Sequence, residues 1–483
     1  MLRKAKAFLA LSGLLLSSCG GGGGGGGTPA PVNHAPAITS AGTATVAENA
    51  TGTVYQATAT DPDGNTVTFA IGGTDAARFT ITGSGALSFV APPDFEAPGD
   101  AGANNVYDLV LTASDGSLTA QLALTVTVTN LADVAAPRLI AAGYDEPYHL
   151  AGVPGGNNLL VAERFGRIYL VDTAQSGTGK GSLFMTVGNL GTFDNLTAGY
   201  GLLSVAPAPD YAASGRFYVA VTDPAGVIEV RRYTRATATT GDPASADVIM
   251  RIPTIVRTGS AVGGVLIFGP DGMLYILTGE DGDRTAPQNV NDLRGKVLRI
   301  DVSQDAFPAD PARDYAIPVD NPNLGGAREV YALGLFDPRG ASFNGADLLF
   351  GDHAAGGDGE INLLRPQDRG ANYGWPAPPP GALAGVIRVG TNQIPTGGYV
   401  YRGSVLSLRG IYLYGAGRQG IFGWAASQLV QGAGLLTGTE HAELNPPGIS
   451  PPAIQSFAED SQGELYYVNG PTFTGNVYKI EAH

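Results

Sequence analysis

Between residues 138 and 483 the chain repeats one short pattern six times: a polar or Gly-rich turn, a strand-length apolar run, then a glycine leading a second run. The copies are Gly155–Val161 with Gly166–Val171, Ser214–Val219 with Gly226–Val230, and Pro270–Ile276 with Gly295–Ile300. They continue as Asn344–Phe350 with Gly359–Leu363, Leu408–Leu413 with Gly420–Trp424, and Ser461–Val468 with Gly475–Ile480. None shows the apolar spacing of a helix. A pair of short strands cannot bury itself alone, so stacking of such units is required. Six copies predict a six-bladed β-propeller over 138–483, a ring that removes long sheet edges by radial repetition and keeps its ligand site near the axis.

Residues 35–134 alternate with the period of two that a half-buried strand requires. Thr43–Val46, Val54–Thr58, Thr66–Phe69, Ala86–Phe89, Tyr107–Thr112 and Leu122–Val128 qualify, with Asp61-Pro-Asp-Gly64 and Ser114-Asp-Gly116 as turns. Short strands at this spacing predict a small β-sandwich. The whole chain is therefore expected to be all-β, and its 71 glycines and 33 prolines fit an architecture made of turns.

The N-terminus carries an export signal. Arg3, Lys4 and Lys6 precede the apolar run Ala7–Leu16, and Leu16-Ser17-Ser18-Cys19 closes it. The run is too short to span a bilayer. The closing residues resemble a bacterial lipobox, so residues 1–18 read as a lipoprotein signal peptide and Cys19, the one cysteine, as the lipid-bearing residue. Residues 19–34, opening with eight glycines and ending in prolines, read as a tether. The expected location is the exported side of a bacterial cell envelope, on a membrane through that anchor. Loss of the leader takes the net charge from −15 to −18, which argues against nucleic acid as a partner.

Several strings in the repeat region resemble the PQQ-dependent glucose/sorbosone dehydrogenase family. They are Leu160–Ile168, Phe268–Tyr275, Gly295–Asp301, Tyr315–Pro318 with Asp320–Pro322, Gly359–Asn362, Asn372–Pro376 and Gly397–Arg402. The resemblance implies hydride transfer from an aldose carbon to pyrroloquinoline quinone (PQQ), with a histidine taking the hydroxyl proton, an arginine polarising the quinone and calcium helping to hold it. Such a step needs a base of near-neutral pKa and a positive group where the quinone oxygen gains charge. At the family's base position this chain has Ala261, and at its arginine position Phe336, followed by Asp337 in place of asparagine. Gly199 stands at the substrate-facing glutamine. Alanine accepts no proton and phenylalanine supplies no charge, so weak or no standard sugar oxidation is expected. The resemblance assigns calcium-binding carbonyls to Ala354 and Ala355, and cofactor contacts to Asp337, Arg402 and Arg418, each arginine being equally a salt-bridge or rim residue. His353 and His149 are the candidate replacement base or ligand, an isolated histidine being more often only solvated or hydrogen-bonded.

Residues 35–134 resemble a bacterial cadherin-like (Ig-like) repeat through Ala47–Asn49, Asp61–Gly64, Asp94–Glu96, Tyr107–Gly116 and Val126–Asn130. That resemblance implies calcium bound by loop carboxylates, with Glu48, Asp61, Asp63 and Glu96 as matching positions and Asp115 weaker. The alternative is that these acids only make good turns. Three functions stay open: an envelope-tethered oxidoreductase, a non-catalytic propeller offering its mouth or rim to a sugar or protein, and a calcium-dependent adhesion or scaffold protein.

Overall fold

The computed structural model describes residues 32–95, 98–130, 135–174, 177, 179–191, 200–253, 261–353, 358–391, 393, 395–431, 436–449, 453–470 and 474–482. The expected signal peptide at 1–18, Cys19, Glu96, Gly199, Ala354 and Ala355 lie outside the described residues, as does the side chain of His353. The chain divides after Leu131 into two compact units. Apart from one four-residue α-helix, Tyr211–Ser214, and short 3-10 turns, the described residues that take regular structure are β-strands, as the all-β expectation required. Among the described residues, no helix is long and apolar enough to cross a membrane.

The first unit holds a four-stranded sheet in the order 43–47, 119–129, 106–114, 68–72 and a three-stranded sheet in the order 53–56, 86–89, 79–81. Strand Val106–Ser114 shows why: Tyr107, Leu109, Leu111 and Ala113 are buried while the intervening residues are not. These side chains, with Leu124, Val126 and Val128 of the neighbouring strand, meet Phe79 and Leu87 of the smaller sheet. Strand Thr43–Ala47 runs parallel to Thr125–Thr129, so it enters the sheet by a crossover rather than a hairpin.

The second unit contains six sheets among the described residues, in the manner of a β-propeller. Five follow the chain, and the sixth has the order 135–145, 474–482, 465–469, 454–459. Its outermost strand, Ala135–Asp145, comes from the start of the unit and pairs antiparallel with Thr474–Ala482, so the two ends of the unit share one sheet. The first strands of the six sheets are Pro147–Gly152, Leu202–Pro207, Gly263–Phe268, Arg339–Asn344, Pro395–Val400 and Ile454–Glu459. Each packs beside the next, and the last packs beside the first, which makes a closed inner ring.

The twelve runs read from sequence are the second and third strands of these sheets. Several are buried along their whole length: all five residues of Leu274–Thr278, Lys296–Ile300 and Leu465–Asn469. Burial on both faces gives continuous apolar runs instead of alternation. The inner strands carry a weaker signal because they face the channel and contain Gly or Pro. Gly264 illustrates the need: at φ +86°, a Cβ there would lie 2.5 Å from Leu203 Cδ1 of the neighbouring sheet.

Candidate functional site

Alternation of strand direction sorts the loops. Segments that precede an inner strand, and those that join a second strand to a third, share one end of the ring. Ala261, Phe336 and Asp337 precede inner strands; Gly279–Gly295 and the turn holding Arg418 join second to third strands. All therefore belong to the mouth at the N-terminal ends of the inner strands, and Arg418 is exposed there.

Around that mouth the backbone ties the segments holding Ala261 and Phe336 to one loop. The Glu280 N–H donates to the Phe336 carbonyl at 2.8 Å, and the Asp281 N–H to the Ala261 carbonyl at 3.0 Å. Ala261 has a left-handed backbone, φ +55°. The Phe336 ring packs on Trp375 with centroids 4.4 Å apart, and the Arg284 guanidinium lies over the Trp375 ring at 5.1 Å. The Trp375 indole N–H donates to the buried Glu280 carboxylate. Burial pushes the Glu280 carboxyl above its ordinary range, with the Trp375 bond and Arg284 pulling it partly back.

Asp352, also buried, accepts the Phe336 N–H at 3.0 Å and the Asp337 N–H at 2.7 Å. Asp337 in turn holds Arg339 at 3.0 Å. Burial works against the Arg339 charge, and Asp337 and Tyr148 more than offset it. Arg164 stacks over Tyr148 at 4.6 Å and approaches Glu146 at 3.7 Å. Glu280, Arg339 and Asp352 were not singled out from sequence. Glu280 in its loop and Arg339 and Asp352 near strand ends lie in no motif, and only the topology brings them beside Ala261 and Phe336.

Two candidates sit elsewhere. Arg402 follows its inner strand, so it lies at the opposite, C-terminal mouth, where its Nη1 is 3.1 Å from Glu459 and its Nη2 donates to Asn344 at 2.9 Å. It cannot share a ligand with Phe336 and Asp337 at the other end, which corrects its placement among the cofactor contacts. His149 lines the channel; its Nδ1 accepts the Val205 N–H at 3.4 Å, and burial holds its pKa down to about 4.

The described residues of the N-terminal mouth do not fit a quinone bearing three carboxylates. Of the described arginines at this mouth, Arg339 is engaged by Asp337, Arg164 by Glu146 and Tyr148, and Arg284 by the Trp375 ring, which leaves the exposed Arg418 to face three carboxylates. Buried carboxylates at Glu280, Asp337 and Asp352 would oppose the incoming charge. No group of three or more His, Cys, Asp or Glu side chains among the described residues is placed to hold a metal.

In the first unit the candidate acids fall at opposite ends of strand Thr119–Thr129. Glu48 donates its N–H to the Thr129 carbonyl, and its carboxylate accepts the Phe95 N–H at 3.1 Å. Asp63 bonds His34, and Asn33 bridges to Asp115, next to the other end of that strand. Asp61 accepts the Asp63 and Asn65 N–H groups of its own turn. A strand of that length spans roughly 35 Å, so Glu48 and Asp63 cannot share one ion.

The family model described as Glucose / Sorbosone dehydrogenase matches residues 144–391. An aldose sugar dehydrogenase of Escherichia coli K12 is 30% identical over 240 residues, covering 48% of this chain and 59% of that protein. The Hedgehog-interacting protein of Homo sapiens is 29% identical over 316 residues, covering 58% of this chain and 43% of that one. The chain thus spans less than two thirds of these relatives. The solved PQQ-bound aldose sugar dehydrogenase of Streptomyces coelicolor superposes with a TM-score of 0.56 at 22% identity, covering 72% of this chain and 98% of that one, a likeness of fold.

Proposed function

We propose that this chain, which belongs to the glucose/sorbosone dehydrogenase family, is an envelope-tethered, six-bladed propeller that binds a sugar or protein at the family's mouth and carries out weak or no standard sugar oxidation. One observation carries the reading: the position where the family places its arginine holds the Phe336 ring, packed on Trp375, while its neighbour across the backbone pair is a buried carboxyl, Glu280. The base position is a methyl group, Ala261. Losing a placed base alone lowers a rate by about 10²–10⁴-fold. A relative named for an interaction, beside one named as a dehydrogenase, supports a binding role for this fold.

Cys19 would carry the lipid, residues 19–34 the tether, and residues 35–134 a cadherin-like sandwich. Calcium remains part of the proposal at two separate places, the Ala354 and Ala355 carbonyls and the sandwich ends holding Glu48 with Glu96 or Asp61 with Asp63. Membrane fractionation of the wild type and Cys19→Ala tests the anchor. A calcium-dependent rise in the melting temperature of the N-terminal unit tests the sandwich.

The decisive assay reconstitutes the purified chain with PQQ and calcium and follows aldose-dependent dye reduction. The expected result is no turnover above the protein-free control for the wild type. Turnover at a rate ordinary for a dehydrogenase overturns the binding reading and favours the oxidoreductase. Activity that emerges only in Ala261→His with Phe336→Arg shows a fold that has lost its chemistry at these two positions.

A further inference from the structure

A cavity of about 370 Å³ in the second unit lies in the channel toward the opposite mouth from Ala261 and Phe336. Its lining includes Gly152, Pro207, Phe268 and Glu459, the last residues of four inner strands. That volume is in the range of small-molecule sites. Its walls are apolar and rigid: Pro154, Pro207, Pro209, Phe268, Phe343 and Phe457.

Few polar groups face it, and they have defined roles. The His149 ring is neutral, since burial holds its pKa down to about 4. Its Nδ1 accepts the Val205 N–H, which assigns the ring proton to Nε2 and makes that atom a donor. The Tyr399 hydroxyl has no hydrogen-bond partner among the described residues, and burial raises its pKa, so it stays a donor. Ser456 is occupied, accepting the Leu150 N–H at 3.0 Å. Glu459 is held by Arg402 at the rim, so neither charge is offered to a ligand.

From this geometry we infer that the cavity binds a small neutral ring compound whose carbonyl or hydroxyl oxygen accepts from His149 Nε2 and Tyr399. An anion would enter a desolvated site facing the Glu459 carboxylate with no cation free to meet it. A purely apolar ring would fill the walls but leave both donors unanswered. The inference does not rest on the proposed function, because the two sites use different residues at different ends of the channel.

Acetophenone serves as the probe and benzoate as its charged match. Methyl-labelled full chain is titrated with each and followed by NMR. Expected are saturable shifts at the methyls of Leu266 and Ile267, which line the cavity, with acetophenone at millimolar concentration or below, and at least tenfold weaker binding of benzoate. Tyr399→Phe, which keeps the ring and removes one hydroxyl, should weaken acetophenone about threefold to tenfold. A melting curve matching the wild type certifies the fold of that variant, and His149→Phe provides the same test through the other donor if Tyr399→Phe does not fold. No shifts at Leu266 and Ile267, equal binding of benzoate, or unchanged affinity in the folded donor variant each overturn the inference.

Discussion

The Glu280 N–H and the Phe336 carbonyl form a 2.8 Å hydrogen bond, so the loop carrying the buried carboxyl and the loop carrying the ring are fixed as one piece. Trp375 completes the piece by packing on the ring and donating to the carboxyl. Trp375→Phe keeps an aromatic ring against Phe336 and removes the donor, leaving a buried carboxylate short of a partner. The expected loss is about 1–3 kcal/mol by chemical denaturation at pH 8. Because the Glu280 carboxyl is already raised, its folded form favours the proton, and removing the indole donor raises it further. The loss should therefore shrink at pH 4, where protonation relieves the uncompensated charge. An equal loss at both pH values would show that packing alone is affected.

Glu360 makes a clearer case of the same effect. Burial pushes its carboxyl up to about 7, with the Asn362 and Gly385 contacts only partly opposing it. The folded chain then binds more protons than the unfolded chain between about pH 4.5 and 7. Stability contributed by this group is present below pH 4.5 and is lost as pH rises through 7, by an amount on the order of 3 kcal/mol. Glu360→Gln removes the ionisation while keeping an acceptor for the Gly385 N–H. The variant should match the wild type near pH 4 and exceed its stability at pH 8, measured as urea midpoints across that range.

The middle strands of each sheet were legible in sequence because burial on both faces makes them apolar without interruption, as in Leu159–Ala162 and Leu465–Val468. The inner strands were not, since Gly263-Gly264 and Pro395 through Gly398 carry channel-facing requirements that read as turns. Ring closure by Ala135–Asp145 against Thr474–Ala482 joins segments more than 300 residues apart, a pairing no local pattern announces. At the site, Ala261 and Phe336 were found through resemblance, whereas Glu280, Asp352 and Arg339 required the loops to be brought together. Arg402 was misplaced for the same reason: its position in a motif gave no information on which mouth it occupies.

Lys296 is completely buried, and its ammonium donates to the carbonyls of Ala286 at 2.6 Å, Arg294 at 2.7 Å and Pro287 at 3.1 Å. These bonds close the Gly279–Gly295 segment over its own strand and thereby hold Glu280. Lys296→Met matches the length of the stem and leaves three carbonyls without their donor. The expected cost is about 1–3 kcal/mol, the penalty of leaving buried carbonyls without a donor. Faster amide exchange at 286–295 should accompany it. Loss of stability without local exchange would contradict the anchoring role.

Ala261 keeps a backbone that its side chain does not favour. At φ +55° an alanine is strained by about 1 kcal/mol relative to glycine, whereas histidine and asparagine occupy this region more often than most residues. The strain is sustained because the Ala261 carbonyl accepts the Asp281 N–H and a Cβ at Gly279 would lie 1.9 Å from that same oxygen. Ala261→Gly should raise stability by about 0.5–1 kcal/mol, Ala261→His should be nearly neutral, and Ala261→Val should destabilise by more than 1 kcal/mol through its branched Cβ. Denaturation midpoints of the three variants give the order directly. If valine is tolerated as well as histidine, the left-handed turn at Ala261 does not persist in solution, and the mouth lacks a backbone that would suit a histidine there.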